Sequence, residues 1–505
     1  MEFKFLYGAS VQGIQNFIFE TSKLSEITGA SELVEKICTT FFRDCIGENL
    51  FKKENLIIGA AGNIKYVFES EAECQRLVSS FPKIIMNKAP GITISQAVVK
   101  FEKANPDKSE INTLENRLKI QRNRSVSRHG LGLMISERSR KTGKAGIDWK
   151  KKESEIIDFS QQQKEDHKRD AKYNLLDKIL GNDNNLKESN YPNDIKDMLK
   201  DTPGYNWVAV VHADGNNLGK VLLNMSEKLE PKDIKKAFSE FSILLEKATT
   251  NAASMAYYEV VHDKFKYKLP IRPVIIGGDD LTVIIRGDLA LPFTTSFLNY
   301  FEEETRKEFK DFCQKYPKIK DLENGLTACA GIAYIKSNYP FYYGVNLCEE
   351  LCKYSKKIAK NLANENVPSC LTFHKVHSSF FNNYEDVIEE ELSAKSVQFN
   401  YGPYFLHKQQ NYATVKELNG WVKTIKLKDA PKAPLRNWVG ELQVNKERAH
   451  QQLERIKQIN SKKFIEELSL ENPFTKRMID NKGERKEKDF TPIFDVLTIA
   501  TIQTK

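Results

Sequence analysis

Two long stretches of this chain run through the same succession of elements, and that repetition constrains the fold more than any single motif. Residues 3–9 read as a strand, 10–19 and 32–45 as helices, and 56–58 with 64–68 as a hairpin around Gly59, Ala60, Ala61, Gly62 and Asn63. A helix over 71–80 and a strand over 92–99 close the first copy. The order returns with a strand over 207–211, helices from Leu218 and over 231–261, a hairpin over 274–286, a helix over 291–313 and a strand over 325–335. A helix over 343–362 and a strand over 370–373 follow. Helices are read from apolar spacing near one turn, strands from alternating or continuous apolar runs. Each copy matches a split βαβ, ferredoxin-like sheet backed by helices, although the residues of the two copies are not visibly similar. The expected class is α+β, with one unit over 1–100 and a second over 201–380.

The two hairpin tips differ in charge. Residues 274–286 read V-I-I-G-G-D-D-L-T-V-I-I-R, and the expected four-residue turn is Gly277, Gly278, Asp279 and Asp280. The tip from Gly59 to Asn63 carries no acid. Glycine lets the backbone turn tightly and lets a bulky anion come close. Adjacent carboxylates repel by roughly 4 kcal/mol at about 4 Å and an effective dielectric of about 20. A divalent ion resolves that repulsion, because hard cations take carboxylate oxygens. A solvated acidic turn is the plain alternative for the tetrapeptide alone. Asp214 argues against it. It ends the first strand of the second copy in H-A-D-G-N-N-L-G-K, residues 212–220, and in this topology that strand neighbours the hairpin. Three carboxylates at one sheet edge suit two-metal phosphoryl or nucleotidyl transfer. Gly215 and Gly219 flank a helix start, where backbone N–H groups and the helix dipole favour phosphate. Lys353, Lys356, Lys357 and Lys360 fall at helical spacing. That is the pattern of a solvated face or, for Lys356, of a side chain reaching a triphosphate.

The rest of the chain sets bounds. At 505 residues it has room for several domains, and 40% hydrophobic residues supply cores. No apolar run is long enough to span a bilayer, and the N-terminus lacks a signal-peptide layout, so a cytoplasmic protein with no membrane contact is expected. The eight cysteines form no C-x-x-C pair and read as reduced, buried thiols. The net charge of +9 permits nucleic-acid contact without establishing it. Residues 101–200 read as a charged insertion, with 160–170 solvated or mobile and with basic residues crowding 117–152 against only Glu137 and Asp148. That basic stretch reads as a solvated insertion more than a nucleic-acid face, because few aromatics interleave for stacking. Residues 381–505 read as helical, with helices over 412–425, 435–459, 463–469 and 492–502.

Taken together, these motifs resemble a known family. S-V-Q-G-I-Q-N-F-I-F-E-T-S-K-L and G-A-S-E-L-V within 10–34, the 212–220 motif, G-G-D-D-L at 277–281 and the lysine helix around Ser355 and Lys356 carry the resemblance. The family is the large palm-domain subunit of type III CRISPR effector complexes, the RNA-activated nucleotidyl cyclases. The resemblance covers most of the chain and implies two palms, the first degenerate with no acids at its hairpin tip, and a C-terminal helical domain. It implies that Asp214, Asp279 and Asp280 hold two Mg2+ or Mn2+ ions and carry catalysis. Ser31, Gly215, Asn217, Leu218, Gly219, Gly277, Gly278 and Lys356 would surround the nucleotide. ATP would bind between the palms and be converted into a cyclic oligoadenylate when target RNA pairs with crRNA. Some relatives join AMP to another small molecule instead. Other effector subunits would dock on the palms and the helical domain.

The chain departs from the family pattern in three places. The first palm begins at Met1 with no room for an HD nuclease domain, and the only His-Asp pair, His262 and Asp263, lies inside the second palm, so no DNase activity is expected. Residues 132–145, where relatives often carry a cysteine zinc site, have no cysteine, so no zinc is expected. Asn216 stands where relatives commonly have a second acid, which leaves Asp214 as the sole strand ligand. Two other functions compete with the cyclase: a non-catalytic scaffold in an RNA-guided complex and a templated nucleotide polymerase.

Overall fold

The computed structural model describes residues 3–21, 23–60, 62–103, 105–124, 136–151, 154–167, 175–181, 186–363, 366–377, 383–394, 397–481 and 484–503. Its first sheet is built from β1 (Lys4–Gln12), β2 (Leu56–Ala60), β3 (Asn63–Phe68) and β4 (Thr93–Phe101), in the order β2-β3-β1-β4 with antiparallel neighbours. This is the ferredoxin-like arrangement. Leu6, Tyr7, Ile64 and Leu33 anchor its core, each essentially removed from solvent.

The helices of this unit are placed differently from their sequence reading. Residues 10–12 continue β1, because Val11 pairs with Ile94 on β4 and the chain leaves the strand only at Gly13, whose φ is +69°. A single helical turn, Ile14–Ile18, follows. The next helix is Leu24–Lys36, so Gly29 and Ser31 lie inside it and not before it. Gly29 is there because a second helix, Phe159–Asp166, presses against it. A Cβ on Gly29 would sit 1.7 Å from the Lys164 carbonyl oxygen. The start of the stretch 160–170, expected to be solvated or mobile, therefore lies in a packed helix, Phe159–Asp166, in which Ser160, Gln161 and Lys164 are buried. It follows the short hairpin β5 (Gly146–Lys150) and β6 (Glu155–Asp158). Arg128, Lys152 and residues 168–170 lie outside the described residues.

The second sheet is larger. β7 (Trp207–Gly215), β8 (Ile271–Gly277), β9 (Asp280–Arg286) and β10 (Ala328–Lys336) repeat the ferredoxin-like order as β8-β9-β7-β10. β11 (Cys370–Lys375) adds parallel to β10, and a two-residue strand at Tyr404–Phe405 closes that edge. Val208 to Val211 are all fully buried, so helices cover both faces. Pro231–Val260 and Gly287–Lys315 pack on each other and on the sheet, and Phe341–Leu362 lies along β10 and β7. Gly331 makes that last contact possible, since a Cβ there would stand 2.1 Å from the Cys348 carbonyl oxygen.

The C-terminal region adds a small sheet to its helices. Val397–Gln398, Thr475–Asn481 and Glu484–Phe490 form three strands that the sequence reading missed. The single helix expected over 435–459 is two, Lys432–Val444 and Lys446–Ile459. Asn445 breaks it: its side chain accepts from the N–H groups of Glu447 and Arg448 and caps the second helix. Among the described residues, no helix is long and apolar enough to cross a membrane.

Candidate active site at the edge of the second sheet

The register of three strands gathers the acids. Asp214 on β7 is the direct cross-strand partner of Asp280 on β9, and Gly277 ends β8 opposite Asp280. The turn is two residues long, Gly278 and Asp279, instead of the four expected, and Asp280 is the first residue of its strand. Gly278 has φ +61°, a conformation that glycine adopts without strain. Gly215 serves a different need. A Cβ there would meet the Asp279 Cβ at 2.7 Å and its Oδ2 at 2.9 Å, so the missing side chain lets Asp279 fold down beside β7.

One lysine answers this charge. Lys356 Nζ lies 2.5 Å from Asp214 Oδ2 and donates to the Gly215 carbonyl at 2.8 Å. Burial opposes its charge, yet the pairing with Asp214 holds its pKa above the ordinary lysine value. Burial, then repulsion from Asp214, raises the Asp279 carboxyl to about 7. Burial, Asp279 and Asp214 push Asp280 well above the usual carboxylate range. Three half-buried carboxylates with one ammonium are under-neutralised, and this all-oxygen donor set fits a hard divalent cation. Close by on the lysine's own helix, Glu349 adds to the negative field on Asp280. Burial raises Glu349 to about 7, and its Oε1 is buried without a hydrogen bond. One ligand atom from each of His212, Asp214 and Asp280 lies within 4.8 Å of the others. Burial lowers the His212 pKa to about 4, so the ring is neutral near pH 7.

Sequence reasoning singled out neither Glu349 nor His212. The signals were positional. Glu349 lies seven residues before Lys356 on one helix face, and His212 shares the strand face of Asp214 by alternation.

A cleft of about 400 Å³ opens between the two ferredoxin-like units. Gly13, Ser31, Gly59 and Gly62 line it from the first, and Ile276, Gly277 and Asp280 from the second. Ser31 also ties the units together, its hydroxyl donating to the Val274 carbonyl on β8. Asp214, Gly215, Asp279 and Lys356 gather beside Asp280 at the same sheet end. Asn217 and Leu218 open the helix Leu218–Lys228, where Asn217 takes φ +61° without capping through its side chain. A Cβ on Gly219 would meet nothing within 4 Å. Asn216 is buried, its Nδ2 donates to Thr327 Oγ1 at 3.0 Å, and its Oδ1 is buried without a hydrogen bond.

The other motifs sit elsewhere. His262 and Asp263 contact each other at 2.9 Å in the turn before β8. That is the far end of the strand from Gly277, about 20 Å away at the usual strand rise. Part of the basic stretch is paired with acids. Lys141 pairs with Glu155 at 2.8 Å, Lys144 with Glu20 at 2.5 Å, and Lys150 with Glu165. Lys164, with no exposed side-chain surface, pairs with Glu20 at 2.8 Å and donates to the Phe17 carbonyl at 2.7 Å.

Two ferredoxin-like units facing a shared cleft, with an acidic hairpin tip on only one, have the architecture of a tandem palm-domain protein. Residues 207–364 match the family described as Cas10/Cmr2, second palm domain. Comparison with curated protein sequences gives no match. Among solved structures, a Csm1–Csm4 cassette in complex with pppApA is similar over 99% of this chain and 69% of the matched chain, at 12% identity and a TM-score of 0.55. The cassette in complex with cA4 is similar over 99% and 70%, at 11% identity and a TM-score of 0.54. The cassette with one ATP gives 100% and 70%, at 12% identity and a TM-score of 0.51. Likeness at such identities establishes a shared fold. Residues 207–364 match the Cas10/Cmr2 second palm domain, and the whole chain shares its fold with the Csm1–Csm4 cassette structures.

Proposed function

We propose that this chain is the nucleotidyl cyclase subunit of a crRNA-guided antiviral complex, converting ATP into a cyclic oligoadenylate or a related AMP-containing messenger when target RNA is bound. The observation that carries this reading is the cluster of Asp214, Asp279, Asp280 and Lys356 beside a cleft between two palms. The nucleotide-bound Csm1–Csm4 relatives support it.

In this reading Asp214, Asp279 and Asp280 hold two Mg2+ or Mn2+ ions, which supply charge stabilisation on attacking and leaving oxygens. Gly277 and Gly278 let the nucleotide approach the hairpin, and the N–H groups at Asn217, Leu218 and Gly219 face its phosphates. Lys356 passes from Asp214 to the triphosphate. Ser31 and the palm whose hairpin tip lacks acids border the second nucleotide, whose 3′-hydroxyl attacks the α-phosphate of the first and releases pyrophosphate. Partner subunits dock on the palms and the C-terminal region.

The test is mass spectrometry of products formed from ATP by the assembled complex with target RNA. The Asp279→Ala, Asp280→Ala double variant is expected to lose product by at least about 100-fold, as when a major electrostatic element is removed. Undiminished product from that variant overturns the reading.

A further inference from the structure

His212 lies two residues before Asp214 on β7 and shares its face. Across β9, its partner is Thr282 while that of Asp214 is Asp280. The His212 Nδ1 lies 3.0 Å from Thr282 Oγ1. A threonine hydroxyl accepts as readily as it donates. With Nδ1–H donating to it, the Nε2 lone pair is left free, and this is how an outer hydrogen bond fixes a metal-binding tautomer. Ligand atoms of His212, Asp214 and Asp280 already lie within 4.8 Å of one another. Ligands about 2.1 Å from a common ion lie about 3–4 Å apart, so rotamer adjustments of about an ångström close the set. The neighbouring Asn216 is held to Thr327 by its Nδ2 and its backbone N–H.

We propose that His212 is a direct imidazole ligand to a divalent ion held by Asp214 and Asp280, so that β7 supplies two ligands and not one. The inference rests on the metal-dependent reading above and deepens it by naming the metal class. An imidazole nitrogen favours transition-metal ions such as Mn2+ or Co2+ over Mg2+, which prefers oxygen ligands and keeps its water.

The experiment uses the purified full chain with Mn2+ and no nucleotide. Pulsed EPR reads nitrogen hyperfine modulation on the bound ion, and titration of the free-ion signal gives the Mn2+ affinity. Wild type is expected to show nitrogen modulation. His212→Gln is expected to lose it and to bind Mn2+ about 10-fold or more weaker, with Mg2+ affinity, measured by competition, changed far less. Thr282→Val keeps the imidazole, and so is expected to retain the modulation while weakening binding. Bound Mn2+ without nitrogen modulation in wild type overturns the inference and leaves the carboxylate site standing; so does modulation that survives in His212→Gln. No Mn2+ binding at all overturns both. The wild-type spectrum decides the matter even if a variant folds poorly.

Discussion

Asp495 is buried, and its Oδ2 accepts a hydrogen bond from the Tyr404 hydroxyl at 2.7 Å. Burial raises its pKa to about 7. Between about pH 4 and pH 7 the unfolded chain has released this proton and the folded chain retains it, so the folded state binds more protons. Stability from this residue is therefore full at low pH and falls as pH rises through that window, by about 1.4 kcal/mol per unit. Asp495→Asn is expected to melt close to wild type at pH 5 and above it at pH 7.5, by thermal denaturation at both. At the candidate site, Gly215→Ala pushes a methyl onto Asp279. It is expected to lower product formation about 10-fold or more with little change in melting temperature, since a misplacement of about 1 Å near the chemistry is costly. What could be read at this scale were the charged residues in abnormal local settings: Asp214 at a strand end, Asp279 and Asp280 after two glycines. Glu349 was illegible among the charges of its helix, because only packing against the sheet separates its setting from that of the exposed Lys353.

At the scale of elements, the position of Lys356 depends on how closely its helix approaches β10. Gly331→Ala forces the Cys348 carbonyl away by more than an ångström. The expected outcome is a loss of about 1–3 kcal/mol in chemical denaturation, as for an overpacked core. Reduced product accompanies it, because the lysine is carried off with its helix. The strands and helices of the second palm could be read because buried runs such as Val208 to Val211 are continuously apolar. The C-terminal strands could not. Thr475–Asn481 and Glu484–Phe490 are dominated by charged and polar residues and pair with each other at the surface, so no apolar alternation marks them. The helix from Leu24 was read eight residues late because a glycine within it suggested a boundary, when tertiary contact with Lys164 was the reason for it.

At the scale of the molecule, an ionic clasp holds the inserted segment to the first palm. Lys164→Ala leaves Glu20 partly buried with Lys144 as its remaining lysine partner in the clasp. Breaking a buried pair from one side costs about 3–5 kcal/mol. The variant is expected to expose residues 136–167 to limited proteolysis, read by mass spectrometry of the fragments, while wild type resists. The two-palm plan was legible from element order. The clasp was not, because a lysine-rich insertion reads as solvated until its acids, Glu20, Glu26 and Glu165, are brought to it by the fold.

The bond from Ser31 to Val274 joins positions separated by 243 residues. A ribosome adding about 5–20 residues per second leaves roughly 10–50 s between the emergence of the two partners. One wall of the cleft is therefore made early and waits for the other. Through that interval the surface around Ser31, Val34 and Cys38 stands uncovered on the nascent chain and is open to wrong partners before translation ends.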